Sequence, residues 1–404
     1  AGAFLAGRVA DAFGRRVALL LSAVLFAVSA WGSGIAGGSL EFVIFRLIGG
    51  FAVGAASVIS PAYISEIAPA HIRGRLATLQ QMAIVLGLFF AFLSNYLLAG
   101  LAGGASEPLL FGFAAWRWMF WVELIPVALF FVGLLFIPES PRYLVAAGRE
   151  ADAEAVLARV APSAQAPALV QDIKATLSAG HRPRLADILN ESTRRVHPIV
   201  WIGIFLAAFQ QLVGINVVFY YGEVLWRAAG FSEAHALLIN VIGGIINVSA
   251  TVAAILLIDR VGRKPLLLGG SVGMGIFLAV LAVVFGQADV GPDGNLMLSD
   301  AAGRVALVAA NAYIVCFGIS WGPVMWVLLG EMFPNQIRGA ALSVAGLSQW
   351  STNFLVTMTF PVLLGGIGLG GAYALYALFA GLSAIFAWRF TRETKGKTLE
   401  EMQL

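Results

Sequence analysis

Ten apolar segments, each about as long as a bilayer span, divide this chain: 17–37, 42–60, 76–99, 118–137, 199–222, 237–258, 266–286, 306–329, 341–364 and 371–390. A hydrocarbon core of ~30 Å takes about 20 helical residues. Inside it, backbone N–H and C=O groups have no water to pair with, so only helices or a closed barrel can cross. A barrel would show segments of ~10 residues with alternating hydrophobicity; this sequence does not. Charged residues are only 12% of the chain, against about a quarter in an average soluble domain. The expected class is an all-α polytopic membrane protein.

The motifs between the spans occur twice, in the same order. Asp11-Ala-Phe-Gly14-Arg15-Arg16 returns as Asp259-Arg-Val-Gly262-Arg263-Lys264, and Glu66-x-x-Pro69-x-x-x-Arg73-Gly74 returns as Glu331-x-x-Pro334-x-x-x-Arg338-Gly339. Pro138-Glu139-Ser-Pro-Arg142 has a weaker echo at Arg392-Glu393-Thr-Lys395. The offsets are 248, 265 and 254 residues. Two related membrane halves imply two bodies that rock about a central site. About 63 residues separate the first span of the second half, near Val196, from Asp259, whereas ten precede Asp11. The symmetry therefore predicts twelve spans in two sets of six, with the first helix and most of the second lying before this sequence. The expected division is an N-terminal half at 1–137, a cytoplasmic linker with short helices at 138–197, a six-helix half at 198–391 and a cytoplasmic tail at 392–404.

Orientation follows from the basic residues. Of 25 Lys and Arg, Arg46 lies in a span, and Arg117, Arg227 and Arg304 fall in loops on one side. The other 21 share the opposite side with every repeated motif, and that side is cytoplasmic by the positive-inside rule. The net charge of +3 thus reports topology and does not indicate a nucleic-acid partner. A single cysteine, Cys316, permits no intrachain disulfide. In the linker, 148–160 and 168–178 read as amphipathic helices separated by proline breaks, expected to form a bundle that braces the cytoplasmic side.

The charged motifs predict a set of switchable ion pairs. In each Asp-x-x-Gly-Arg-Arg/Lys loop the glycine permits a tight turn, and the acid can accept from the Arg or from a helix N-terminus. Two copies at matching places favour a latch that opens when the halves rock, beyond simple anchoring of the loops.

Within the spans lies a stripe of neutral polar groups. Gln210, Gln211, Asn216 and Tyr220 fall on one span; Gln81, Asn247, Gln349 and Asn353 add further amides, and Trp326 and Trp350 add flat apolar surface. Amides facing lipid are costly, so these are expected to face a cavity or another helix. Amides beside aromatic rings suit a pyranose, whose hydroxyls donate and accept while its C–H face stacks. A charged ligand would call for a buried counter-charge. Arg46 and Glu123 are the charges at membrane depth, where ionisable groups mark proton relays. The four histidines pair with no cysteine, and no nucleophile–base spacing occurs, so neither an enzyme nor a cofactor or metal is expected.

Taken together, Gly7-Arg-x-x-Asp11-x-x-Gly14-Arg15-Arg16, Pro61-x-Tyr63-x-Ser-Glu66, Pro138-Glu-Ser-Pro-Arg142, Gln210-Gln-x-x-Gly214-Ile-Asn216 with Tyr220-Tyr221, Gly322-Pro-x-x-Trp326 and Glu393-Thr-Lys-Gly-Lys-Thr-Leu-Glu400 resemble the sugar porter family of the major facilitator superfamily. The resemblance covers essentially the whole chain and is strongest toward bacterial D-xylose–proton symporters. It implies the fold of that superfamily, with two pseudo-symmetric six-helix halves. It also implies sugar contacts at Gln81, Gln210, Gln211, Asn216, Tyr220, Asn247, Trp326, Gln349 and Trp350. Arg46 is implied to pair with an aspartate of the first helix in proton coupling, with Glu123 a second coupling carboxylate. Asp11, Arg15, Arg16, Glu66, Arg73, Glu139, Arg142, Asp259, Arg263, Glu331, Arg338 and Glu393 are implied to form the cytoplasmic gate. Where the xylose symporters have a second sugar-binding Gln two turns after Gln81, this chain has Leu88, which makes a hexose such as glucose plausible. Arg392 stands where many members have Pro, and Tyr143 replaces a common Trp.

The function so implied is import of a monosaccharide with a proton across the bacterial inner membrane, by a protein that works as a monomer in the bilayer. A passive facilitator would need the same site without the coupling carboxylate. A non-transporting sugar sensor would usually carry a longer cytoplasmic extension than the fourteen residues after Phe390.

Overall fold

The computed structural model describes residues 2–68, 70–160, 165–178, 188–189, 195–291, 296–333 and 337–395. The side chains of 3–5, 8, 65, 70–78, 80, 176–178, 290, 338 and 339 are outside that description. Two compact units result, Ala1–Ile84 with Leu93–Arg182, and Val85–Phe92 with Pro183–Leu404.

The first unit is built from α1 (Gly2–Phe13), α2 (Arg15–Ile35), α3 (Ser39–Ile67), most of α4 (Ala70–Ala102), α5 (Ala115–Val122) and α6 (Leu124–Phe136), followed by the short helices α7 (Pro141–Ala146), α8 (Glu150–Leu157) and α9 (Ala166–Ser178). The second holds α10 (Pro198–Leu212), α11 (Ile215–Tyr220), α12 (Gly222–Ala228), α13 (Glu233–Val261), α14 (Arg263–Gly286), α15 (Asp300–Ile319), α16 (Trp321–Met332) and α17 (Arg338–Phe390). An antiparallel pair, β1 (Asp289–Val290) and β2 (Leu296–Met297), lies between α14 and α15.

Among the described residues, nine helical stretches are long and apolar enough to cross a membrane. The last is double. Helix α17 runs for 53 residues, about 80 Å at 1.5 Å per residue and more than twice a hydrocarbon core. It turns at Gly368, whose φ of 69° and ψ of 178° are not helical. The ten apolar segments of the sequence are thus all helical. What was not apparent from their apolar runs is that three are interrupted, at Glu123, Gly214 and Ser320.

The second unit carries the larger core, with Trp321, Tyr313, Phe333, Phe360, Leu267 and Met274 all below 2% exposure. The first is thinner, packed around Leu19, Ala23, Ile59 and Leu134. Its helices turn much apolar surface outward: on α6, Ile125, Leu129 and Phe136 are 62, 71 and 77% exposed. That is the surface expected of a helix facing hydrocarbon, where burying leucine against protein offers little over burying it in lipid. After α6, the helices α7, α8 and α9 enclose a core of their own, with Leu144, Ala153, Val156, Leu157 and Val170 buried. Ser140 caps α7 by accepting from Tyr143 N–H at 3.3 Å, and Pro141 opens the helix. Lys174 of α9 meets Glu150 of α8 at 2.7 Å.

Candidate substrate site and inner ion-pair clusters

The amide cluster is organised by two broken helices of the second unit. Between α10 and α11, Gly214 sits at φ 83°, a left-handed conformation that glycine enters without penalty. A Cβ there would lie 2.7 Å from the Tyr376 ring, so the position is closed to side chains on steric grounds as well. Each break frees backbone groups that must be satisfied at membrane depth. Tyr313 O–H donates to Val213 O at 2.8 Å at the first break. Gln210 Nε2 donates to Trp321 O at 3.0 Å at the second, between α15 and α16.

From Gln210 a chain of neutral amides extends. Its Oε1 accepts from Gln211 Nε2 at 3.2 Å and from Gln349 Nε2 at 2.8 Å. Asn216 Nδ2 donates to Gln211 Oε1 at 2.6 Å and to Asn353 Oδ1 at 2.9 Å. Gln210 and Gln211 are only 4 and 5% exposed. Gln349 Oε1 is buried and has no hydrogen-bond partner among the described residues. An unpaired buried acceptor costs about 1–3 kcal/mol, which a ligand hydroxyl would recover. Trp326, Trp350 and Tyr220 expose 38, 39 and 58% of their surfaces. Asn247 is buried on α13, with its Oδ1 beside Gly318 of α15. Of the nine expected sugar contacts, the structure links Gln210, Gln211, Asn216 and Gln349 directly and gathers eight in one unit. Gln81 belongs to the first unit, half-buried on α4. Asn353 joins the chain although the motif pattern did not include it; its signal was the intramembrane amide itself.

The charges of the repeated motifs form two clusters of the same design, one per unit. Arg15 grips Glu66 through Nε at 3.0 Å and Nη2 at 3.1 Å, and meets Asp11 at 3.0 Å. Arg263 grips Glu331 through Nε at 3.0 Å and Nη2 at 2.8 Å, and meets Asp259 at 2.9 Å. The Arg15 and Arg263 side chains are only 15 and 11% exposed. Glu139 accepts the backbone N–H of Arg15 at 2.8 Å and of Arg16 at 3.2 Å, so a carboxylate sits on the N-terminus of α2, where the helix dipole favours it. Glu393 does the same on α14, accepting from Arg263 and Lys264 N–H, each at 3.0 Å. Burial works against ionisation of Glu393, but the N–H donors of Arg263, Lys395, Lys264 and Thr394 outweigh it and hold the carboxyl below the usual carboxylate range. Arg16 donates to the carbonyls of Leu134 and Leu135. Arg142 is exposed, and the side chains of Arg73 and Arg338 lie outside the described residues.

Arg46 and Glu123 are both exposed. The Arg46 guanidinium stands 5.4 Å from the centroid of the Phe120 ring, and no salt bridge within 4.0 Å joins it to Glu123 among the described residues.

This paired architecture has close relatives. The sugar (and other) transporter family matches residues 1–404. The chain belongs to that family. It is 55% identical over 402 residues to the glucose transport protein of Synechocystis sp. (strain ATCC 27184 / PCC 6803 / Kazusa), covering 99% of this chain and 85% of that protein. It is 40% identical over 426 residues to the D-xylose-proton symporter of Escherichia coli K12, covering 100% and 82%. Among solved structures it matches the partially occluded inward open conformation of the xylose transporter XylE from E. coli, with a TM-score of 0.81, 38% identity and coverage of 98% and 85%. The chain is therefore a transporter and not an enzyme, with the major facilitator fold, and a multi-pass protein of the bacterial inner membrane. The hydrogen-bonded amides are neutral donors and acceptors, and each arginine cluster fastens helix ends within its own unit.

Proposed function

We propose that this transporter imports a monosaccharide together with a proton by alternating access, with glucose the preferred substrate. The observation that carries the reading is the buried amide chain from Gln211 through Gln210 to Gln349, ending in an acceptor that no group among the described residues fills. No charged side chain takes part in that chain, which suits a neutral polyol. The half-exposed rings of Trp326 and Trp350 suit the apolar face of a sugar.

Glucose is favoured over xylose on two grounds. Leu88 offers no hydrogen bond where the family resemblance implies a Gln in xylose symporters. The relative with 55% identity is a glucose transport protein. Proton coupling is supported by the 40% identical symporter and by Arg46 at membrane depth. One charge moved across 100 mV supplies ~2.3 kcal/mol, enough for roughly 50-fold accumulation. The inner clusters of Arg15 and Arg263 act as the cytoplasmic gate, and the protein works as a monomer in the lipid bilayer.

Uptake of labelled glucose and xylose into vesicles, with and without an imposed proton gradient, tests this. Gradient-driven accumulation of glucose is expected. Equilibration without accumulation would make the protein a facilitator, and binding without uptake would make it a sensor.

A further inference from the structure

The loop between α4 and α5 holds an apolar hairpin that the transport reading leaves without a role. Pro108 pairs with Ala114 in an antiparallel bridge, Leu109 N–H donates to Phe113 O at 2.8 Å, and Phe113 N–H donates to Leu110 O at 3.1 Å. Phe111 and Gly112 at the tip have φ of 55° and 76°. Two successive positive φ values are the mark of a tight hairpin turn that favours Asn-Gly or Asp-Gly. The second position obeys this preference and the first does not. Among the described residues Phe111 is the one non-glycine with positive φ, and a bulky residue there is strained. It is also 88% exposed, beside Leu110 at 54% and Phe113 at 43%. Turning the chain does not call for Phe, and a ring left this exposed gains little from packing inside the protein.

The hairpin is held firmly at its base. Ala115 N–H donates to Glu107 O and Trp116 N–H to Ala105 O, both at 2.9 Å. Arg117 donates to Gly34 O at 2.6 Å and Ala36 O at 3.1 Å, the last carbonyls of α2, and lies 4.5 Å from the Trp116 ring. The tip is therefore an apolar wedge whose flanking backbone is paired, carried between two membrane spans, Gln81–Ala102 and Ala115–Phe136. No charge occurs between Glu107 and Arg117. The bilayer-facing surface runs up to it from both sides, through exposed Leu97 and Leu101 on α4 and Ile125 on α6. Tryptophans 31, 118 and 121 cluster beside it, with Trp31 and Trp121 stacked at 5.6 Å and the Phe111 ring 6.3 Å from Trp118. Aromatic groups of this kind collect at the headgroup level.

We propose that Leu110 and Phe111 insert into the outer leaflet, where headgroups meet acyl chains, and fix the outer end of the first unit in the bilayer. The occupant of this surface is lipid. The backbone flanking the turn is paired, and at headgroup level the N–H and C=O groups of Phe111 and Gly112 can meet water and lipid ester groups while the apolar side chains enter the leaflet.

The test replaces Cys316 with Ala, places single cysteines at Leu110 or Phe111, and attaches a nitroxide in the full protein reconstituted in phosphatidylcholine nanodiscs. Relaxation by oxygen and by a water-soluble nickel chelate then reports depth. Leu129→Cys serves as the bilayer reference and Gln171→Cys as the aqueous one. The expected oxygen-to-nickel ratio at 110 and 111 is several-fold above that at 171 and approaches that at 129. The Leu110→Cys variant keeps Phe111, so the proposal can be tested even if Phe111→Cys disturbs the turn. A ratio at 110 equal to that at 171 would overturn it. So would spin–spin broadening that disappears on dilution with unlabelled protein, since the occupant would then be a second copy.

Discussion

Arg263 holds Glu331 with a two-point grip, Nε at 3.0 Å and Nη2 at 2.8 Å, and Arg15 holds Glu66 in the same way. A lysine reproduces the charge but not the fork. Arg263→Lys therefore removes one charged hydrogen bond in a half-buried cluster, a loss of about 1.5–3 kcal/mol. If the cluster is the gate, cysteine labelling from the two sides of the membrane will show the outward/inward distribution displaced about ten-fold or more. Unchanged labelling would remove the cluster from the gating step.

Each grip has a third participant. Ser140 Oγ donates to Glu66 Oε2, and Thr394 Oγ1 donates to Glu331 Oε2. The hydroxyl in each case follows the carboxylate that caps the neighbouring helix. Ser140→Ala or Thr394→Val leaves the arginine fork in place and removes one donor to a carboxylate, costing about 1–2 kcal/mol. The check is a double-mutant cycle on the unfolding midpoint in detergent, pairing Thr394→Val with Glu331→Gln. The two effects should be markedly non-additive; simple additivity would show that the hydroxyl does not act through the carboxylate.

The helix-capping role of Glu393 has a pH signature. Its folded-state carboxyl titrates below the ordinary glutamate range because four backbone N–H donors overcome the effect of burial. As pH falls the unfolded chain takes up this proton first, so the contribution is complete above the unfolded value of ~4.3 and fades as pH drops through the lower folded value. The difference in unfolding midpoint between the parent and Glu393→Gln should be constant from pH 7 to about pH 5 and shrink below about pH 4. A difference that grows on acidification would contradict the assignment.

The spans and both charged clusters were readable in the sequence because each has a strong physical marker. Long apolar runs leave helices as the sole option, and the Asp-Gly-Arg and Glu-Arg-Gly spacings recur. The breaks at Gly214 and Ser320 were not readable, since hydropathy is blind to backbone direction. Nor was α7, whose Ser140-Pro141 start looks like a loop until the cap is seen. Ser140 and Thr394 escaped notice because a hydroxyl beside a capping Glu carries no periodic or compositional mark. Asn353 was visible only as one intramembrane amide, and its bond to Asn216 depends on two helices far apart in sequence.

Gln349 distinguishes binding from scaffolding. Its Nε2 bonds to Gln210 while its Oε1 is unpaired. In Gln349→Ala the Gln210 acceptor still has Gln211 as a donor, so the protein loses little of its own. The sugar loses a buried hydrogen bond, about 1.4–2.8 kcal/mol, which is a ten- to hundred-fold weaker affinity. Tryptophan-fluorescence titration with glucose measures that change, and the unfolding midpoint measured alongside should hold. A large fall in midpoint with unaltered affinity would make Gln349 a structural residue.

Leu88 tests which sugar the site prefers. It packs, half-buried, against the core of the second unit, and at this position the family resemblance implies an amide in xylose symporters. Leucine and glutamine are close in size, so Leu88→Gln adds a donor and an acceptor with little change of shape. A site that hydrogen-bonds a hydroxyl discriminates strongly against ligands lacking it, whereas an apolar wall discriminates weakly. Leu88→Gln should therefore raise xylose affinity about ten-fold through one added hydrogen bond, while glucose affinity changes less. Competition of each sugar against labelled glucose in vesicles gives both numbers in one experiment. Parallel changes for the two sugars would place the origin of selectivity elsewhere in the amide chain.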